Sequence, residues 1–411
     1  MHTVDMKSHR REFLALIAAL MSCQALAVDA MLPALPTIAA ALGVAAANHM
    51  QWVVTVYIAG LGFGQFFWGM VSDRYGRRPV LLCGLAAYVV AAAFAAFAGD
   101  FPALLAWRFV HGLAAASLVV SRSIVRDLFE GRQMARVMSL TFIVFLLVPI
   151  IAPSFGQLML MFASWRALFV AFSLFGTLIG VWVLLRLPET LHPEYRYTLT
   201  PAHVAAAAWR VLSERLSLWY TLAQAVTFGS VLAYIGTVQQ VFQSVFARPG
   251  LMPAMFAVCA VTMAIASYSN ARLVLRFGMR RLSQLSLLAL IVVSVLHIAI
   301  AAQGHETLAG FVVLQSLKLA CVGFMGANFG AMGMERMGEI AGLAAAVQGA
   351  LSTVGGALVG SLIGRYFDAS TLPLAIGVLG CALAALLCVL GAERGRLFQT
   401  QHATAAGTTA H

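Results

Sequence analysis

Residues 69–79 read Gly69-Met70-Val71-Ser72-Asp73-Arg74-Tyr75-Gly76-Arg77-Arg78-Pro79. An acid, three basic side chains and two glycines are crowded between two long apolar runs, about 49–71 and 79–98. Each run has roughly the 20 residues that an α-helix needs to cross a hydrocarbon core. The charged stretch therefore reads as a tight loop at one membrane face, joining two spans. Gly69 and Gly76 permit close backbone approach or a positive φ where helix gives way to loop.

Working outward, the same pattern recurs along the chain. Further apolar runs lie at about 12–34, 101–123, 137–159 and 165–187, then at about 216–238, 251–271, 282–302, 306–330, 338–363 and 371–391. Backbone polar groups inside a bilayer must be satisfied within the segment, so the twelve runs are expected to be helices. The alternating ten-residue strands of a membrane β-barrel are not seen. Composition agrees: of 411 residues, 62% are hydrophobic and 10% charged, against roughly 25% charged in a soluble domain. So little charge cannot cover a water-facing surface. The first run is long and lacks a small-x-small cleavage site, so it is expected to be a span rather than a signal peptide.

The net charge of +11 does not indicate nucleic acid, because the basic residues fall between apolar runs rather than on one polar face. With the amino terminus in the cytoplasm, 21 basic residues fall on that side and only Arg108, Arg166, Arg248 and Arg365 on the other. Lys7, Arg132, Arg136 and Arg196 are among the 21. This split places both termini in the cytoplasm. The longest polar stretch, 188–215, divides the spans six and six, and its part around 201–213 reads as an amphipathic surface helix. A second loop, Arg276-Phe277-Gly278-Met279-Arg280-Arg281, starts 202 residues after Arg74 and follows the second span of its half. Two related halves in parallel orientation are the architecture of many secondary transporters, with the substrate site between them. The expected organisation is an amino-terminal half 1–187, a cytoplasmic loop 188–215, a carboxy-terminal half 216–396 and a flexible cytoplasmic tail 397–411.

The loop at 69–79 resembles the loop 2–3 signature of the major facilitator superfamily. Three further segments resemble its drug:proton antiporters of the bicyclomycin and chloramphenicol resistance type. They are Asp29-Ala30-Met31-Leu32-Pro33-Ala34-Leu35-Pro36, Arg108-Phe109-Val110-His111-Gly112 and Pro149-Ile150-Ile151-Ala152-Pro153-Ser154-Phe155-Gly156. The chain departs from that family's pattern at His111, where Gln is commoner, and at Gln157, where a second Gly is common. The second-half loop has Leu275 where the first half has Asp73. The resemblance implies an all-α polytopic fold, proton-coupled export by a monomer in the bacterial inner membrane, and no cofactor beyond the coupling proton. It also implies that Arg108 takes part in proton transfer.

Several residues carry chemistry that a lipid-facing helix does not need. Asp29 lies in an apolar span with no basic neighbour within a turn. Binding a proton or a cationic substrate fits it, and so does a structural interhelical hydrogen bond. Lys318, mid-span between Leu317 and Leu319, is too deep to snorkel easily; a carboxylate partner, Asp29 among them, or a polar substrate would suit it. His111 stands one turn from Arg108 on the same side of the helix and reads equally as a titrating group or a packing residue. Asp73, Arg74, Arg77 and Arg78, with Gly69 and Gly76, read as a cytoplasmic latch or as topology and lipid anchors.

Pro149 and Pro153 remove two helix donors, and Gly156 permits close packing. Gly356, Gly360 and Gly364 form a small-residue stripe. Gln24, Tyr57, Tyr234, Gln239, Asn328 and Gln348 read as cavity-lining or interhelical polar groups, and Trp165 and Trp219 as interfacial anchors.

The six cysteines form no CxxC pair and read as packing residues, with no metal site. A phosphate-cradling loop is absent from the sequence, against direct use of ATP, and no paired carboxylates or nucleophile–base cluster suggests an enzyme. The expected function is proton-coupled efflux of small amphipathic compounds or antibiotics. The alternative is a proton-coupled transporter of a sugar, nucleoside or amino acid. The charge split makes a direct prediction: single cysteines introduced at 188–215 in a cysteine-free background should resist a membrane-impermeant maleimide in intact cells. Efficient labelling there would invert the topology.

Overall fold

A computed structural model describes residues 10–44, 47–129, 131–192, 194, 201–304 and 306–398. Lys7, Arg196 and the expected tail from 399 onward lie outside these residues, as do the side chains of Arg132 and Arg136. The first half contains α1 (Arg10–Asp29), a 3-10 turn (Leu32–Ala34), α2 (Leu35–Ala41), α3 (Trp52–Tyr75), α4 (Arg77–Ala96), α5 (Phe101–Leu113), α6 (Ser117–Leu128), α7 (Gly131–Phe162) and α8 (Arg166–Arg186). After α9 (Pro201–Ser213) come α10 (Arg215–Gln240), α11 (Met252–Phe277), α12 (Met279–Ala301), α13 (Leu308–Met334), α14 (Ala341–Gly364) and α15 (Leu372–Ala392).

Among the described residues, 10 helical segments are long and apolar enough to cross a membrane. The consecutive pair α5–α6 and the helix α7, apolar over Leu147–Phe162, complete the two sets of six. The chain is an all-α, multi-span membrane protein. Helix α9 lies between the sets and packs on α14. Its Val211 is buried with Met337, Ala344 and Val347 while its Trp209 is exposed, which is the amphipathic character expected at 201–213.

Local chemistry sets the helix ends. Asp100 accepts from Ala103 N at 2.7 Å, Glu214 from Ser217 N at 2.7 Å and Thr307 from Gly310 N at 3.1 Å. Each satisfies an otherwise unpaired amide at a helix start. Gly76 at φ +105° and Gly278 at φ +79° make the corresponding sharp turns α3–α4 and α11–α12, where a side chain would be strained.

Two expectations change. The run 101–123 was expected to be continuous, but Ala114–Ala116 separate α5 from α6. The indole of Trp68 in α3 donates to Leu113 O at 2.6 Å, so a carbonyl that would continue the helix is taken from outside. Trp165 is not an interfacial anchor. It is buried, its ring packed on Phe169 with the Arg166 guanidinium 4.3 Å from its centroid. Trp219 is half-buried and lies against Gly391.

Close backbone approach joins the helices within and between the halves. A Cβ on Gly112 would stand 1.9 Å from Tyr57 O, and one on Gly60 2.2 Å from Phe109 O. These two glycines let α3 and α5 touch main chain to main chain. The stripe on α14 divides its work: Gly356 and Gly360 meet α10, whereas Gly364 meets Gln51 just before α3. The halves meet where α3 packs on α14 and α7 on α11. Gly112→Ala should destabilise the detergent-purified protein by about 1–3 kcal/mol, the usual cost of overpacking. Gly180→Ala, with nothing within 4 Å of its added Cβ, should leave the melting midpoint unchanged. Equal midpoints for the two variants would refute the close α3–α5 contact.

Candidate functional site

The loop at 69–79 builds a charged cluster at one end of the bundle. Arg77, 3% exposed, pairs with Asp73 and donates from Nε to Asp127 Oδ2 at 2.8 Å. Glu189 accepts from Arg77 N at 2.8 Å and Arg78 N at 3.2 Å, placing a carboxylate at the positive end of α4. Gly76 leaves room for it, since a Cβ there would lie 2.4 Å from Glu189 Oε2. Arg78 also donates to Leu184 O at 2.7 Å. Arg74 lies beside the Tyr75 ring and faces α9 across a groove. The second half repeats the cluster: Arg280 pairs with Glu335 at 2.9 Å and Glu393 at 2.8 Å, and Tyr220 donates to Glu393 at 2.5 Å. Beside the first cluster a cleft of about 230 Å³ opens between the halves. Gln65, Gly69, Asp73, Arg122 and Arg126 face Gly342 across it.

Deeper in the bundle, a cavity of about 210 Å³ lies between the halves. Asp29 and Gln24 of α1, Pro149 of α7, Tyr234 of α10 and Phe256 of α11 contribute to its wall. The Tyr234 and Phe256 rings stack with centroids 5.7 Å apart and planes 7° from parallel. Asp29 is the cavity's one charged group among the described lining residues. A charge at bilayer depth costs about 2.5–3.5 kcal/mol on insertion scales, which a bound proton or a cation beside it removes. Pro153 continues α7 within one uninterrupted helix, and Gly156 carries it against Ala30, where a Cβ would stand 2.0 Å from Ala30 O.

Arg108 is fully buried beside this site but is not paired with Asp29. Its Nε donates to Val53 O at 2.9 Å and its Nη2 to Ala27 O at 3.1 Å. Nη1 lies 3.2 Å from His111 Nδ1, and the guanidinium sits 4.3 Å from the Tyr57 ring centroid. Tyr57 and His111 thus belong to the packed interior of the first half, with ring centroids 5.2 Å apart. Lys318 does not meet Asp29 either. Its Nζ is 2.7 Å from His297 Nδ1.

The other polar positions separate by partner. Gln24 and Tyr234 reach the cavity. Asn328 and Asn270 exchange hydrogen bonds at 3.1 and 2.9 Å, and Gln348 donates to Ser217 Oγ at 2.8 Å and Gly333 O at 2.9 Å. Gln239 is buried away from the cavity wall. Sequence reasoning did not single out Asp127, Glu189, His297 or Glu306. An acid at the end of span 4 and another just after span 6 were the available signals for the first two, and a histidine inside an apolar run for the third.

The sequence model of the Major Facilitator Superfamily matches residues 17–360. The bicyclomycin resistance protein homolog of Haemophilus influenzae is 29% identical over 369 residues, covering 88% of this chain and 90% of the relative. The multidrug resistance protein MdtL of Klebsiella pneumoniae is 29% identical over 382 residues, covering 90% of this chain and 93% of the relative. Among solved structures, the partially occluded inward-open xylose transporter XylE of E. coli superposes with a TM-score of 0.70 at 14% identity. That match covers 92% of this chain and 96% of the transporter, and it supports the fold alone.

The Arg77 cluster separates two effects. Asp127→Asn removes a charged hydrogen bond from a buried guanidinium and should lower stability by about 1.5–3 kcal/mol. The Asp73 side chain is 37% exposed, so Asp73→Asn should be milder in stability yet slow turnover severalfold at equal expression. Wild-type turnover in Asp73→Asn would remove the latch role.

Proposed function

The chain belongs to the Major Facilitator Superfamily, and from this premise we propose that it exports small amphipathic compounds, antibiotics among them, in exchange for protons. It is a transporter, not an enzyme. The observation that carries the reading is the lone carboxylate of Asp29 in a wall otherwise built largely of apolar and aromatic groups, between the two halves. An amphipathic cation satisfies both parts of that wall: its apolar body lies against the stacked Tyr234–Phe256 pair and its charge beside Asp29. A proton satisfies the carboxylate alone. Proton and substrate therefore compete for one group, which is the requirement for exchange. The names of the two curated relatives support the same substrate class, and coupling to protons needs no cofactor.

The proposed setting is the bacterial inner membrane, with a monomer embedded in lipid. The Arg77 end and both termini are assigned to the cytoplasm on the basic-residue split. At the opposite end Asn48 Nδ2 bridges the halves by donating to Arg365 O at 2.8 Å and Phe367 O at 2.9 Å. The cleft beside Asp73 supports access from the cytoplasmic end, where an exporter loads. Asp73, Arg74, Arg77 and Arg78 act as the latch of that end, and α7, through Pro149, Pro153 and Gly156, forms part of the moving seam.

In reconstituted vesicles with an imposed pH gradient and no ATP, wild-type protein should move substrate uphill, and a protonophore should abolish this. A panel of amphipathic cations and antibiotics, first screened for protection of an efflux-deficient bacterium, supplies the substrates. Asp29→Asn should insert normally and lose at least tenfold of gradient-driven transport. Indifference of the wild type to the gradient would sink proton coupling. Full coupling in Asp29→Asn would assign the proton to another group.

A further inference from the structure

The second half contains a buried chain of ionisable groups that the cavity does not use. Lys318, 1% exposed, is the eleventh residue of the 27-residue α13, roughly 15 Å from its start at 1.5 Å per residue. Helix side chains lean toward the helix start, and Lys318 extends that way to His297 near the end of α12, Nζ to Nδ1 2.7 Å. On the far side of the imidazole, Nε2 lies 2.8 Å from Glu306 Oε1. The two atoms are near enough for charge pairing but not aligned as a hydrogen bond. Glu306 in turn accepts from Thr371 Oγ1 at the start of α15. The series runs from the middle of a span to the bundle end opposite the Arg77 cluster. The His297 ring is fully buried and Phe311 packs on it.

Three ionisable groups in single file, buried in an apolar bundle, are expensive to keep for packing alone. Other polar groups near them are few. Cys259 of α11 faces Lys318, accepts from Ser316 Oγ at 3.4 Å and also meets Tyr234 of α10. None of Lys318, His297 and Glu306 lines the cavity that holds Asp29. Among the described residues, Asp29 is the one charged group on the wall of that cavity, and the Lys318 series lies apart from it inside the second half.

We propose that Lys318, His297 and Glu306 form a second proton-carrying site, loaded from the Glu306 end, so that each transport cycle exchanges two protons rather than one. In the empty site Lys318 is a neutral amine, His297 carries its proton on Nδ1 and Glu306 is a carboxylate. Water at the bundle end protonates Glu306. That proton then passes to His297 Nε2 as the Nδ1 proton passes to Lys318 Nζ. One O–H and one N–H bond break, two N–H bonds form, and Glu306 returns to carboxylate. In the state open to the cytoplasm the added Nζ proton leaves to water in the cavity between the halves, past Cys259 and Tyr234, and the neutral imidazole re-forms its Nδ1–H tautomer before the next loading. The loaded arrangement, an ammonium donating to Nδ1 and an Nε2–H facing a carboxylate, has the observed spacing. Imidazole suits the middle position because it accepts at one nitrogen while donating from the other.

The inference rests on the proton-coupled reading above, and one experiment separates the two. Protein is reconstituted with the membrane potential clamped at zero, and uphill movement of a permanently charged amphipathic cation is followed at several imposed pH gradients. Ethidium is the first probe, replaced if necessary by whichever permanent cation the susceptibility panel returns. Two exchanged protons give about 100-fold accumulation per pH unit and one gives about tenfold, since each proton contributes a factor of ten per unit. Wild type should follow the steeper law. His297→Gln keeps an acceptor for Lys318 and a donor for Glu306 but cannot relay a proton, and it should follow the shallower one with unchanged probe affinity. Glu306→Gln should do the same and serves if His297→Gln does not reach the membrane. A wild-type law of tenfold per unit, or a variant that keeps the wild-type law, overturns the second site and leaves proton-coupled export standing. Wild-type movement indifferent to the gradient overturns both.

Discussion

Arg77 carries a full charge at the point where α3 turns into α4, with almost no access to solvent. Burying a guanidinium is tolerable only if nearby groups replace the water it loses. Asp73 and Asp127 do so from two helix ends, while Glu189 holds the amides beside it. The Arg77 side chain consequently ties α6 to α3, and the amides of Arg77 and Arg78 tie down the chain leaving α8. The second half solves the same problem with Arg280, Glu335 and Glu393. The acids again come from the end of the fourth span and from just after the sixth. The shared feature of the halves is this arrangement, more than the residues of the loop itself: Met279 stands where the loop register would place Arg77, and the neighbouring Arg280 takes over the work.

The span pattern was legible because bilayer thickness acts on length and composition, which a sequence displays directly. The halves were legible because a glycine-turn loop recurs at half the chain, and Gly76 and Gly278 do adopt the positive φ that the turn requires. What escaped depended on a neighbour in space. The break after Leu113 is made by an indole from α3, and nothing in 101–123 announces it. Trp165 has the composition of a membrane-interface anchor, but its ring is enclosed by packing.

The polar positions show the same limit. Gln24, Asn328 and Gln348 are similar side chains in similar apolar surroundings. One faces the cavity, one is matched by Asn270 and one is held by Ser217 and Gly333. Whether a buried amide meets another side chain or an open wall is a property of three helices together, and one sequence segment contains only one of them. Lys318 was legible as an anomaly for its depth, whereas its partners come from the end of α12 and the following loop.

The distribution of strong and weak contacts then bears on movement. The ion pairs of Arg77, Arg186, Arg280, His297 and Arg336 all join groups within one half or its adjoining loop. Glu12, held by Arg186 at 2.6 Å from both Oε1 and Oε2, fastens α1 to α8 in the same way. Contacts between the halves are of another kind: Gly62 against Val354, Gly364 against Gln51, and Asn48 on two carbonyls. Separating small residues forfeits many weak dispersion contacts that re-form after a shift, whereas parting a buried pair such as Arg77–Asp127 leaves an uncompensated charge costing about 3–5 kcal/mol. The low-cost motion of the bundle is therefore a rocking of two internally braced halves about their seam. Asp29 lies on that seam, so its surroundings change with each rocking step, while the Lys318 series travels intact within its own half.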